Sequence, residues 1–113
     1  MSPGDVADVT KNYLVAIPVD GGRIMVEELT AQPTLEQLRH GVGDGDIEVV
    51  PRFSKLFGRA CVAFCNEHGK LEGRPINHPA NVFWRVAAGP IHDDVLVGPI
   101  CVVVGTPKFL RDL

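Results

Sequence analysis

Every apolar run in this chain is cut at strand length by proline, glycine or a polar reversal. Tyr13-Leu14-Val15-Ala16-Ile17 stops before Pro18, Ile47 and Val49 before Pro51, and Ala60-Cys61-Val62-Ala63-Phe64-Cys65 before Asn66. Even the Val- and Ile-rich stretch over residues 95–104 is broken by Gly98-Pro99. Proline lacks a backbone donor and glycine accepts turn conformations, so a chain punctuated this way folds into short strands joined by turns. With Gly 12 and Pro 9 among 113 residues, nearly a fifth of the sequence is punctuation.

Between the breaks the pattern is regular enough to place elements. Tyr13 to Ile17, the turn Asp20-Gly21-Gly22 and Arg23-Ile24-Met25-Val26-Glu27 read as a β-hairpin, because glycine accepts the positive φ of a tight reversal. Thr34 with Gln37 three residues later has the spacing of a capping box, and Leu35, Leu38 and Val42 share one helical face. Gly41 and Gly43 end that helix after about two turns. Ile47 and Val49 begin a third strand, Ser54 to Arg59 reads as a loop, and residues 60–65 form a compact apolar strand. Lys70-Leu71-Glu72 suggests a brief returning strand, residues 80–85 one helical turn, His92-Asp93-Asp94 a polar turn and residues 95–104 the last strand.

The resulting expectation is an α+β domain. It has a mixed β-sheet of about five strands with one short helix packed on one face, and the β-grasp is the most specific topology that this element order suggests. Residues 1–11 are small and polar and read as a flexible N-terminal arm, leaving 12–113 as a single domain.

Composition narrows the function classes. Lys plus Arg is 11 against 14 for Asp plus Glu, a net charge of −3 that disfavours a nucleic-acid binder working by phosphate neutralisation. Arg52, Lys55 and Arg59 are the only dense basic stretch, and a solvated loop accounts for them. No apolar stretch can span a bilayer, and the N-terminus lacks the apolar core of a signal peptide. Three cysteines, all in or at the end of apolar runs, suit a reducing cytoplasm better than a disulfide scaffold.

Cys61 and Cys65, with His68 and His78, invite a zinc reading. Four residues along one strand place the two sulfurs about 13 Å apart at roughly 3.3 Å per residue. Two thiolates on one zinc lie within roughly 4 Å. The cysteines therefore read as core filling. Gly43-Asp44-Gly45-Asp46 lacks the ligand spacing of a calcium loop, so no metal or cofactor is expected. No spacing delivers a thiol, a base and an orienting group together, so no catalytic residue is expected either.

Two clusters remain. Asn66, Glu67, Lys70, Arg74 and Asn77 form a polar group that is either a structural turn or a small ligand-binding edge. Phe53, Leu56 and Phe57 flank a short polar loop and would form an exposed apolar patch, a candidate interface for a partner protein or a second copy of this chain.

The segment Cys65-Asn66-Glu67-His68-Gly69-Lys70-Leu71-Glu72-Gly73-Arg74-Pro75-Ile76-Asn77 resembles the C-N-E-x-G-K-L-x-G-x-P-x-N signature of a small domain-of-unknown-function family of bacteria, phages and mobile elements. Thr34 to Leu38 is similar to its short helix, and Val95-Leu96-Val97-Gly98-Pro99 to its closing strand. Phe53-Ser54-Lys55-Leu56-Phe57 stands where that family carries an acid-rich loop. The resemblance implies a small accessory protein and supplies no activity. The leading expectation is a non-enzymatic protein-interaction module using a sheet edge or an exposed apolar loop. The rival is a small-ligand or nucleotide-like binding domain using the polar turn at residues 66–77.

Overall fold

A computed structural model describes residues 3–19, 21–90 and 94–113. Asp20 of the expected hairpin turn, and His92 and Asp93 of the expected polar turn, lie outside the described residues.

The first hairpin forms, with its second strand shifted two residues later than the expected Arg23 to Glu27. β1 (Asn12–Ile17) pairs antiparallel with β2 (Met25–Leu29), Tyr13 opposite Glu28 and Ala16 opposite Met25. Helix α1 (Leu35–Gly41) opens on the expected capping box. The Gln37 N–H donates to Thr34 Oγ1 at 3.1 Å, and the Thr34 N–H donates to Gln37 Oε1 at 2.8 Å. Two otherwise orphaned donors are thereby satisfied.

β3 (Ile47–Val49) and β4 (Lys55–Leu56) lie along the same side of the long strand β5 (Arg59–Asn66). The stretch expected as a loop at 54–59 is instead a tight hairpin, with Phe57 at φ 50° and Gly58 at φ 77°. Positive φ at both central residues suits the right-handed twist of the flanking strands. No glycine-led pair announces it, because the first position is occupied by Phe57. Residues 70–72 form turns rather than a strand.

The expected single helical turn extends to α2 (His78–Ala88). After β6 (Ile100–Val104), the short helix α3 (Pro107–Arg111) closes the chain. The strand order is β2-β1-β6-β5-β3, with β4 pairing β5 off this path.

Among the described residues every ladder is antiparallel, where a mixed sheet was expected. A β-grasp sets its first and last strands parallel; here β1 and β6 are antiparallel neighbours. Phe64, near the end of β5, pairs with Cys101, at the start of β6. The connection leaves and re-enters at the same end of the sheet, and that direction dictates antiparallel pairing.

Cover comes on both faces rather than one. All five residues of β6 are buried, because the strand is central and apolar on both sides. Val15, Ile17, Ala63, Ile100, Val102 and Val104 pack with Ala80 and Trp84 of α2. On the opposite face Phe64, Cys101 and Val103 pack with Leu38 and Val42, and Phe109 and Leu110 of α3 rest against them.

The expected arm is tied to this body. Pro3–Val6 is a 3-10 turn whose Val6 is fully buried in the core. Arg59 Nη1 donates to the carbonyls of Val6, Asp8 and Lys11 at 3.1, 2.8 and 2.9 Å. Among the described residues no helix is long and apolar enough to cross a membrane.

Candidate functional site

The expected apolar patch is not a surface. Phe53 and Leu56 are buried members of the core, and Phe57 is half-buried with its ring edge-on to Phe83 at 5.4 Å. The tight hairpin at Phe57-Gly58 turns these side chains inward, where their transfer from water stabilises the fold.

The polar cluster divides. Asn77 is fully buried and acts as a joint. Its Nδ2 donates to the carbonyls of Ile17 and Gly98, both at 2.9 Å, and its Oδ1 accepts from the Ala80 N–H at 3.1 Å to cap α2. Arg74 serves the end of α1, where its Nη2 donates to the Gly43 carbonyl at 2.8 Å and its Nε to Glu72 at 3.1 Å. Both residues therefore have structural partners on the far side of the turn.

Glu67 and Lys70 line a cavity of about 110 Å³, whereas the Asn66 amide is turned against Gly45 and accepts from the His68 N–H at 2.9 Å. The cavity lies between the ends of β3 and β5, the Trp84 indole of α2 and residues 94–97. Trp84 is held by its Nε1 donating to the Pro51 carbonyl at 2.9 Å. Glu48 and Asp94 bring carboxylates close enough to act on the Cys65 thiol, as does the single ammonium of Lys70, and Glu67 is a third acidic residue of the lining. Lys70 is ion-paired with Asp94, and this contact holds the Asp94 carboxyl below its ordinary value of 3.8.

Cys65 also lines the cavity. Burial first, and the Glu48 carboxylate second, push its thiol up to about 11. A thiol so shifted stays protonated at neutral pH and is a poor nucleophile. The described lining contains no imidazole.

Glu48 and Trp84 carry no sequence signal for this role, and Asp94 is expected only as part of an acidic turn. The only available signal was Asn77 ahead of Pro79, a cap followed by a first-turn proline, which marks where α2 begins.

β3 is an edge strand. The Glu67 N–H donates to the Asp46 carbonyl at 2.8 Å and the Val50 N–H to the Ala63 carbonyl at 2.9 Å. Residues 46, 48 and 50 therefore turn their backbone groups inward, and by antiparallel alternation Ile47 and Val49 turn theirs outward. Among the described residues nothing pairs with that outer edge, and the Val49 side chain is exposed.

A second group of polar side chains lies at the same end of the sheet. Asp46, Glu67 and His68 bring one carboxylate oxygen each and an imidazole nitrogen within 4.8 Å of one another.

A model of the family described as a domain of unknown function, DUF3846, matches residues 13–109. No curated protein and no solved structure matches the chain.

Proposed function

The chain belongs to the DUF3846 family, and from that premise we propose a non-enzymatic protein-interaction module that takes an extended partner segment on the outer edge of β3. A basic side chain of that segment enters the adjoining cavity. The observation that carries this reading is the acidic cavity beside an unpaired strand edge. Main-chain pairing at such an edge supplies affinity, and a neighbouring pocket supplies side-chain specificity.

Size and charge define the occupant. About 110 Å³ is well below the several hundred Å³ of sites for drug-sized ligands and suits one side chain. Three acidic lining residues against one ammonium favour a Lys or Arg side chain and oppose the phosphates of a nucleotide. The protonated Cys65 thiol, with no described imidazole in the lining, supports a non-catalytic role. The signature at residues 65–77 supports an accessory protein of bacterial, phage or mobile-element origin. Three free thiols suit a reducing cytoplasm.

The test is fluorescence anisotropy with a labelled Thr-Val-Lys-Val-Thr peptide. Binding should be saturable and weaken about tenfold or more in Glu48→Lys, which reverses one cavity charge. Val49→Pro, which removes the outward N–H, should weaken it comparably. Absence of binding, or binding that ignores both substitutions, overturns the proposal. Competition by a free alkylamine with indifference to Val49→Pro would instead favour the small-ligand reading.

A further inference from the structure

We propose that Asp46, Glu67 and His68 form a divalent transition-metal site at the end of the β3·β5 ladder. Ile47 pairs with Asn66, so the next pair outward sets Asp46 directly opposite Glu67, and the Glu67 N–H to Asp46 carbonyl bond at 2.8 Å continues the ladder. Directly opposed side chains have Cβ atoms roughly 5 Å apart, and like charges at that position repel. Arg39 meets only one of the two carboxylates, its Nη2 standing 3.5 Å from Asp46 Oδ1. Among the described residues Glu67 and His68 have no ion-pair partner.

The imidazole completes the set. Asn66 Oδ1 accepts from the His68 N–H at 2.9 Å, and this turn brings His68 back over the strand end. One ligand atom from each residue then lies within 4.8 Å of the other two. Metal–nitrogen and metal–oxygen bonds of about 2.0–2.2 Å require ligand atoms roughly 3–3.5 Å apart. Rotation of exposed side chains closes that gap. Two carboxylates and one imidazole select a borderline divalent ion such as Zn²⁺ or Co²⁺ and leave solvent-facing positions free, the pattern of an open site.

This inference goes beyond the peptide reading and can be separated from it. Glu67 is common to both, but His68 does not line the cavity and Lys70 is not a metal ligand.

The experiment is calorimetric titration of the full chain with CoCl₂, together with absorption spectra. One ion per chain is expected, without the thiolate charge-transfer band that cysteine ligation would give. His68→Gln and Asp46→Asn should each weaken binding about tenfold or more. Cys65→Ser and Lys70→Ala should leave it unchanged. Asp46, His68 and Lys70 are exposed and serine is nearly isosteric with the half-buried Cys65, so circular dichroism should show all four variants folded. No saturable binding at millimolar CoCl₂, retention of affinity in His68→Gln, or loss of it in Cys65→Ser would each overturn the site. Peptide binding that survives His68→Gln while cobalt binding is lost supports it and separates the two proposals.

Discussion

The side-chain amide of Asn77 donates to the carbonyl oxygen of Ile17, 60 positions earlier in the chain, at 2.9 Å with both groups buried. The same amide holds the Gly98 carbonyl, so one residue joins the end of β1, the start of α2 and the approach to β6. Asn77→Ala would leave two buried carbonyls and the Ala80 N–H without partners, at a cost of about 3 kcal/mol or more. Asn77→Asp keeps the cap but loses both donors and buries a charge, so it should not rescue. Urea unfolding of the two variants checks this, and a wild-type midpoint for either would refute it.

Arg59 is the corresponding joint for the N-terminal segment. Its guanidinium serves three carbonyls and stands 5.9 Å from the Tyr13 ring centroid. Arg59→Lys keeps the charge but not the planar fork of donors, and should cost about 2 kcal/mol. Trypsin cleavage after Lys11 and amide exchange over residues 6–11 should both accelerate. Unaltered exchange there would show that Val6 alone anchors the segment.

Two glycines should fail for different reasons when replaced by alanine. Gly58 has φ +77° and nothing within 4 Å of an added Cβ, so the cost, about 1 kcal/mol, is purely conformational. At Gly41 an added Cβ would lie 2.8 Å from the Cβ and Sγ of Cys101, a steric cost of about 1–3 kcal/mol. Asparagine tolerates the left-handed region, so Gly58→Asn should recover most of the loss, whereas Gly41→Asn should deepen it. Chemical denaturation of the four variants distinguishes the two causes.

The thiols predict a window of alkaline weakening. Burial raises Cys61 and Cys101 from the ordinary 9.0 to about 12, and burial with the Glu48 carboxylate raises Cys65 to about 11. A thiol that ionises more readily in the unfolded chain leaves stability intact below about pH 9 and removes it as pH rises toward the folded values. Urea midpoints should therefore be similar at pH 7 and 8 and fall at pH 10. At pH 8 iodoacetamide should modify the folded chain slowly, at Cys65 before the other two, and all three thiols quickly in urea.

Much of the fold was legible because its signals are local. The capping box at Thr34 and Gln37, the hairpin between β1 and β2 and the apolar strand at residues 60–65 each depend on neighbours within a few positions. The β4 hairpin was missed because Phe57, rather than Asn or Asp, takes the first left-handed position. That choice is stabilised by contacts with a helix 26 residues further on, where Phe83 meets the ring. The second face of cover was missed for a similar reason: an all-apolar run such as Ile100–Val104 has no period to say that it is central.

The polar residues separate the two levels most clearly. Composition and spacing by themselves determined an α+β chain of short strands, Cys61 and Cys101 spent on the core, and a polar reversal after residue 65; that Cys65 is half-buried in a cavity wall was not among them. They could not distinguish Asn77, a buried joint, from Glu67, an exposed carboxylate, because both are polar residues in one turn. Tertiary structure decided that, along with which strand lies at an edge and which acids face each other. Those properties depend on strand order and register, and these are fixed by the burial of apolar faces from segments far apart in the chain.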